Sequence, residues 1–171
     1  MKFSLLPNEI FLHLTDLTPA MLQHGGIRLL MMDFDNTIVP YTTDIPTGQM
    51  LQWLSTMQQN GIELCVVSNS KNERVRRFCR KYGLACITHA GKPFGRGISQ
   101  CLSKYDIPAS QAALVGDQIY TDVLGANLAG VRSILISAIH NHTIWLKLRH
   151  ILEIPVIFIA KERNMHHEKL G

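Results

Sequence analysis

The sequence lacks the features that mark membrane-spanning, disulfide-stabilised and repetitive proteins. No apolar run approaches the roughly 18 to 20 residues that a helix needs to cross a bilayer. The four cysteines are scattered and form no C-x-x-C pair, so we expect buried, reduced thiols rather than disulfides or a zinc site. Pro7 interrupts the start of the chain, which makes that start a poor signal peptide. The sequence also contains no internal repeat and no low-complexity segment.

Length and composition are those of an ordinary globular domain. The 171 residues can enclose a full hydrophobic core, and a hydrophobic content of 46% argues against disorder. The net charge of +4 permits binding to phosphates, nucleic acid or anionic lipid without singling out one of them. We therefore predict one domain over residues 1–171, located in the cytoplasm and without a transmembrane segment.

Short apolar runs alternate with two-faced helical patterns in the middle of the chain. The predicted strands cover residues 28–32, 62–67, 84–87, 112–115 and 131–136. Helices are predicted from near Pro46 to Gly61 and over residues 72–82, 95–105 and 120–129. This alternation predicts a doubly wound, Rossmann-like α/β domain with a five-stranded, mainly parallel sheet.

The two ends of the chain have different patterns from this core, which spans residues 28–136. Residues 1–27 are expected to form a helical lead-in that ends in the glycine turn at Gly25 and Gly26. Residues 137–171 are expected to form a C-terminal helix, with an apolar stripe between Ile144 and Leu152, and a polar tail.

Polar side chains follow four of the predicted strands at the points where those strands end. The carboxyl ends of parallel strands meet at one edge of a sheet, so these side chains are expected to lie close together. They are Asp33, Asp35 and Thr37 after the first strand, Ser68 and Asn69 after the second, Lys92 after the third, and Asp117 and Asp122 after the fourth.

These residue types fit two kinds of chemistry at that edge. Three carboxylates can hold a hard cation such as Mg²⁺, which prefers oxygen ligands. A lysine, a hydroxyl group and the backbone amides of a turn can neutralise phosphate oxygens. Taken alone, Asp33 and Asp35 are equally compatible with solvated turn residues that begin a loop.

In order along the chain, these segments resemble the signature of the haloacid dehalogenase (HAD) superfamily of phosphohydrolases. The resemblance spans about residues 28 to 136. The strings Asp-Phe-Asp-Asn-Thr, Ser-Asn-Ser and Gly-Asp-Gln-Ile-Tyr-Thr-Asp look most like the YqeG branch of the subfamily IIIA phosphatases, which is similar to the phosphatidylglycerophosphate phosphatases of mitochondria and plastids. The matching segments are 33–37, Ser68-Asn69, Lys92-Pro93, and Gly116-Asp117 with Asp122.

The resemblance implies a Mg²⁺-dependent phosphomonoester hydrolase that forms an aspartyl-phosphate. Asp33 would be the nucleophile. Asp35 would protonate the leaving alkoxide and later help to deprotonate water. Lys92 would offset the negative charge of both the nucleophile and the phosphate.

The remaining motif residues would bind the phosphoryl group and the metal. Thr37, Ser68, the backbone amide of Asn69 and Lys92 are the implied phosphate ligands. The implied Mg²⁺ ligands are Asp33, Asp117 and the main-chain carbonyl of Asp35. Three interpretations of Asp122 stay open: it holds a metal-bound water, it holds Lys92, or it only caps the following helix.

Spacing between the motifs bears on the substrate. Residues 38–67 and 70–91 are accounted for by a helix and a strand each, so neither gap has room for a cap domain. An open site suits a phosphate on a large molecule or at a surface, and the branch resemblance makes phosphatidylglycerophosphate the leading substrate. The alternatives are a soluble sugar phosphate, a nucleotide, a nucleic-acid end, or a non-catalytic binding protein that kept the fold.

Two segments of the sequence could form surfaces that bind a partner. The predicted helix over 72–82 has a basic face formed by Arg74, Arg76, Arg77, Arg80 and Lys81, which is either a solvated surface or a patch that docks on an anionic membrane. The stripe over 144–152 fits core packing or a membrane anchor. The expected partner is a phosphorylated substrate with a lipid headgroup as one candidate, and peripheral contact at the inner membrane face is a further hypothesis. Nucleic acid is not an expected partner.

Overall fold

The computed structural model describes residues 3–71 and 73–139, which form an open six-stranded sheet covered by helices on both faces. The strands are β1 (Glu9–Phe11), β2 (Leu29–Met32), β3 (Glu63–Val67), β4 (Ala85–Ile87), β5 (Ala112–Gly116) and β6 (Arg132–Ile136). The helices are α1 (Pro19–His24), α2 (Gly48–Gln59), α3 (Glu73–Lys81), α4 (Gly97–Tyr105) and α5 (Leu124–Ala129). The predicted α/β class and parallel sheet are confirmed, because every neighbouring pair in the order β1-β6-β5-β2-β3-β4 is parallel.

Strand β2 lies in the interior of the sheet, between β3 and β5, and its four residues are fully buried. Its alternate side chains enter two separate cores. Leu30 and Met32 pack with α2 and α3 on one face, whereas Leu29 and Met31 pack with α4 and α5 on the other. The continuous apolar run therefore matches a strand buried on both faces. The backbone continues straight into Asp33, whose N–H donates to the carbonyl of Val115 at 2.9 Å.

The predicted count of five strands is wrong, because the helical lead-in contains an additional strand. Ile10 and Phe11 lie within the predicted helical lead-in, but they pair in parallel with Leu135 and Ile136 of β6. Asn8 fixes this register, since its side-chain Oδ1 accepts hydrogen bonds from both the backbone N–H and the hydroxyl of Ser133. Tertiary pairing overrides the weak local preference of a three-residue segment.

The segments between the predicted motifs are short, as the spacing predicted. The chain between Asp35 and Ser68 holds α2 and β3, and the described chain between Ser70 and Lys92 holds α3 and β4, so neither segment contains a cap domain. The four cysteines are free thiols, and Cys65, Cys79 and Cys101 are buried.

Two observations concern the ends of the chain and its relation to membranes. The predicted stripe over 144–152 and the rest of the predicted tail lie outside the described residues. Within the described ranges, no helix combines the length and apolar character that crossing a bilayer requires.

Candidate active site

The loop after β2 presents two carboxylates to one pocket at the carboxyl edge of the sheet. A tight turn follows the strand: the N–H of Ile38 donates to Phe34, and Asn36 adopts a left-handed φ of 58°. Asparagine tolerates this conformation better than most residues. As a result, Asp33 and Asp35 both line a pocket of about 300 Å³.

Lys92 reaches this pocket from the loop after β4 and lies between two carboxylates. Its Nζ is 2.8 Å from Asp33 Oδ1 and 2.8 Å from Asp122 Oδ1, and only 1% of its side chain is exposed. Burial acts to lower the pKa of Lys92, but the charges of Asp122 and Asp33 together outweigh burial and hold that pKa above its usual value. Lys92 is therefore a fixed positive charge beside Asp33.

The side chain of Asn69 lines the pocket and also binds the backbone of Lys92. Its Nδ2 donates to the Lys92 carbonyl at 2.9 Å, and its Oδ1 accepts from the Lys92 N–H at 2.7 Å. The neighbouring Ser68 is buried, and its Oγ accepts from the backbone N–H of Ser70 at 3.1 Å. Ser68 and Asn69 both line the pocket with Asp33 and Lys92.

Asp122 contacts Lys92 and also caps the start of the helical segment that follows β5. Its Oδ2 accepts from the N–H of Gln118 at 3.1 Å, while its Oδ1 pairs with Lys92. The predicted helix over 120–129 begins with a π-helical turn, Ile119–Val123, before α5. Such turns are frequent at functional sites because they redirect a side chain. Asp122 therefore both holds Lys92 and caps the helical segment, which combines two of the three interpretations that the sequence left open.

Gly116, the last residue of β5, gives the Asp122 carboxylate its space. A Cβ at this position would lie within 2.7 Å of three Asp122 side-chain atoms, the nearest being Oδ2. Any side chain at position 116 would therefore displace Asp122 from Lys92. The glycine is required by close packing, not by an unusual backbone conformation.

Three carboxylates come close enough together to share a cation. Oxygen atoms of Asp33, Asp117 and Asp122 all lie within 4.8 Å of one another. When ionised, the four carboxylates of the site outnumber its two basic side chains, so two negative charges remain for a divalent cation to offset. The residues present therefore fit a hard divalent cation. The six charged side chains are Asp33, Asp35, Asp117, Asp122, Lys92 and Arg74.

Thr37, unlike the other predicted phosphate ligands, does not line the pocket that contains Asp33. It lines a second, mainly apolar pocket of about 370 Å³, together with Ile38 and Pro40. Its buried hydroxyl finds no hydrogen-bond partner among the described residues. The structure therefore brings together Ser68, Asn69 and Lys92, but not Thr37, around the pocket that contains Asp33.

Arg74 lies at the site, paired with Asp35, so its placement on the exposed basic face of the helix, whether solvated or membrane-docking, is wrong. Its guanidinium group pairs with Asp35 at 2.5 Å and with Asp44 at 2.8 Å, and 14% of its side chain is exposed. Helix α3 follows β3, so its first turn lies at the carboxyl edge of the sheet. That placement is the sequence signal that identifies Arg74. Arg76, Arg77 and Arg80 are exposed, as predicted for the basic face.

Burial and Arg74 act in opposite directions on Asp35. Burial is the larger influence and raises the pKa of the Asp35 carboxyl above its ordinary value, although the adjacent Arg74 guanidinium lowers it. A raised pKa brings a carboxyl group closer to the range in which it exchanges protons near neutral pH.

Comparisons with known proteins identify the family of this chain and its fold. A family model described as HAD-hydrolase-like matches residues 89–142. The "Probable phosphatase YqeG" of Bacillus subtilis (strain 168) is 30% identical over 136 residues, which cover 80% of this chain and 79% of that protein.

Solved structures share the fold at low sequence identity. The cobalt-bound deoxy-D-mannose-octulosonate 8-phosphate phosphatase of Haemophilus influenzae is 13% identical with a TM-score of 0.53, over 73% of this chain and 75% of that one. The 3-deoxy-D-manno-octulosonate 8-phosphate phosphatase of Yersinia pestis is 13% identical with a TM-score of 0.52, over 82% and 86% of the two chains. At these identities the likeness concerns the fold alone.

Proposed function

Because the chain belongs to the HAD-like hydrolases that include the probable phosphatase YqeG, we propose that it is a Mg²⁺-dependent phosphomonoester hydrolase with an aspartyl-phosphate intermediate. One observation carries the proposal: Lys92 Nζ lies 2.8 Å from Asp33 Oδ1, in a pocket that Asp35 also lines. A nucleophile, a fixed positive charge and a second carboxyl group are the parts that phosphoryl transfer to an aspartate requires.

The reaction has two steps, and Asp33 and Asp35 act in both. An Asp33 oxygen attacks phosphorus and forms a new P–O bond, while the ester P–O bond breaks and Asp35 protonates the departing alkoxide. In the second step Asp35 accepts a proton from water, which attacks phosphorus and releases inorganic phosphate from Asp33. Splitting the reaction lets one carboxyl group serve first as acid and then as base.

The surrounding side chains stabilise the charge of the transferring phosphoryl group. Lys92 is positively charged and buried, so its interaction with phosphate oxygens is weakly screened. Ser68 and the backbone amide of Asn69 would donate hydrogen bonds to the same oxygens. Asp33, Asp117 and the carbonyl of Asp35 would hold Mg²⁺, which when bound offsets further phosphate charge.

For the substrate we propose phosphatidylglycerophosphate, which the protein would bind at the surface of a membrane. Three large apolar side chains close in sequence to site residues are exposed: Tyr41 lines the pocket, Phe94 follows Lys92 by two residues, and Ile45 adjoins the Asp44 that pairs with Arg74. Their exposed fractions are 46%, 79% and 71%, respectively. Exposed apolar side chains beside the arginines of α3 suit an anionic lipid interface. Peripheral attachment at the cytoplasmic face of the inner membrane is part of this proposal.

A phosphate-release panel tests both parts of the proposal. It compares phosphatidylglycerophosphate in anionic vesicles with a sugar phosphate, a nucleotide and a 5′-phosphorylated oligonucleotide, each with Mg²⁺ and with EDTA. The Asp33→Asn variant supplies the blank. Mg²⁺-dependent release from the lipid above the blank is the expected result. Release from soluble esters alone would reject the lipid substrate and keep the mechanism, whereas no release from any ester would reject the proposed hydrolysis.

A further inference from the structure

Arg74 joins the pocket to the loop at its rim through several contacts at once. Its Nη1 lies 2.5 Å from Asp35 Oδ1, and its Nε donates to Asp44 Oδ1 at 2.8 Å. Its Nη2 donates to the backbone carbonyls of Pro40 and Thr43 at 2.8 and 2.5 Å. Three nitrogens of one side chain therefore connect Asp35 to the loop over residues 40–44.

The guanidinium group rests on a rigid aromatic support. It lies 5.0 Å from the ring centre of Phe34, the residue between Asp33 and Asp35. Phe34 is fully buried and packs edge-on against Phe78 of α3, with ring centres 5.0 Å apart. Cation–π contact and close packing thus fix the position of Arg74, and Arg74 in turn fixes Asp35.

We infer that Arg74 is a positioning residue, which orients the Asp35 carboxyl group for proton transfer and anchors the loop over 40–44 at the rim of the pocket. The inference rests on the proposed hydrolysis for its first part, since that part concerns proton transfer to the leaving group. The second part stands on the contacts to Pro40, Thr43 and Asp44 alone.

Arginine suits this place better than lysine for a geometric reason. A guanidinium group offers five N–H donors in a fixed plane, so it can satisfy two carboxylates and two carbonyls together. A lysine at position 74 would keep the positive charge but lose the planar fork. Arg74→Lys is therefore expected to keep part of the function of Arg74, and Arg74→Ala none of it.

The chain supplies a matched control for removal of a partly buried arginine. Arg132 pairs with Glu9 at 3.0 Å, and 38% of its side chain is exposed. Arg132 is the first residue of β6, so it lies at the amino edge of the sheet, opposite the pocket. Arg132→Ala removes an ion pair without touching the site.

The kinetic test compares two soluble substrates that differ in the need for an acid. An aryl phosphate has a good leaving group, whereas glycerol 3-phosphate has a poor one that depends on protonation by Asp35. We expect Arg74→Ala to lower kcat on glycerol 3-phosphate by about 10- to 100-fold, with a smaller loss on the aryl ester and little change in KM. Arg74→Lys should recover part of the loss, and Arg132→Ala should match the wild type.

A double variant distinguishes whether Arg74 acts by positioning Asp35 or has a role independent of Asp35. If Arg74 acts through Asp35, its removal from an Asp35→Asn protein should cost less than about twofold further activity. Multiplied losses in Asp35→Asn/Arg74→Ala, or equal losses of Arg74→Ala on the aryl and alkyl esters, would overturn the inference. Circular dichroism of each variant establishes that it is folded, and Arg74→Lys serves in place of Arg74→Ala if the latter does not fold.

Hydrogen exchange tests the anchoring part without any turnover. Backbone amides over residues 41–45 should exchange faster in Arg74→Ala than in the wild type or Arg132→Ala, because the loop loses its ties. Unchanged exchange in this loop would overturn the inference. If the wild type hydrolyses neither of these soluble esters, the exchange experiment alone decides the role of Arg74. The proposed function itself fails only if phosphatidylglycerophosphate also releases no phosphate.

Discussion

Lys92 and Asp122 form an ion pair of 2.8 Å in which each side chain is only 1% exposed. Two charges taken out of water are costly, and their mutual attraction repays that cost only while both partners remain. The same Lys92 Nζ contacts Asp33, so the pair connects the π-helical turn after β5 to the predicted nucleophile. One buried contact therefore contributes both to the stability of the fold and to the arrangement of the site.

Asp122→Asn tests this dependence. The amide keeps the size of the side chain and can still accept from Gln118, but it leaves Lys92 with a single carboxylate partner. Breaking one side of a buried ion pair costs about 3–5 kcal/mol. Urea unfolding should show a loss of that order, and phosphate release should fall in parallel. Unchanged stability would mean that Lys92 finds other compensation.

Gly116→Ala should disturb the same contact from the other side. The added methyl would meet the Cβ, Cγ and Oδ2 of Asp122, so the carboxylate must move away from Lys92. We expect kcat to fall at least about tenfold, because small displacements in a preorganised site are costly. Gly48→Ala is the control, since a Cβ at Gly48 would meet nothing within 4 Å. Wild-type kcat in Gly116→Ala would contradict the required close packing.

Asp33→Asn should abolish phosphate release while leaving the fold intact. The amide preserves the shape of the side chain but is a poor nucleophile toward phosphorus. Steady-state phosphate release and circular dichroism measure the two effects separately. Substantial residual turnover would exclude Asp33 as the nucleophile.

Metal removal should stop turnover, and metal binding should raise stability. The negative charges of Asp33, Asp117 and Asp122 repel one another when no cation is bound, so Mg²⁺ should raise the melting temperature in proportion to its occupancy. Thermal unfolding with EDTA and with increasing Mg²⁺ measures this shift. Asp117→Asn should reduce the shift, and an equal response from that variant would remove Asp117 from the metal site.

The exposed side chains around the pocket predict salt-sensitive binding to anionic vesicles. Co-sedimentation should detect binding at low ionic strength, and added salt should weaken it because screening reduces the attraction to the arginines of α3. Phe94→Ser should also weaken binding, since 79% of this side chain is exposed and it follows the pocket residue Lys92 by two positions. Absence of binding at low salt would argue against a lipid substrate.

Much of the site could be predicted because a simple rule connects sequence to position. Parallel strands end at one edge, so polar residues after the apolar runs, such as Asp33, Ser68 and Asp117, had to lie near one another. The sequence alone does not decide the partner of Asp122, because that partner depends on a π-helical turn that helical periodicity does not indicate.

Other features could not be predicted from the sequence, for identifiable physical reasons. A three-residue edge strand has too few residues to show a period of two, so the sequence pattern predicts a helix for the segment of Ile10 and Phe11. The helical pattern separates only apolar from polar faces, so it predicts the same exposed basic face for Arg74 as for its basic neighbours. That pattern carries no information about which end of the helix faces a site, and the position of Arg74 in the first turn decides its partners.

The pairing of β1 with β6 has a consequence for synthesis of the chain. Asn8 and Ser133, which fix the register of the two strands, are 125 residues apart in sequence. A ribosome produces β1 long before its partner β6, so β1 cannot join the sheet until the intervening segments have been made. Completion of this edge is therefore a late event in folding, and chains released before β6 would retain an unpaired strand.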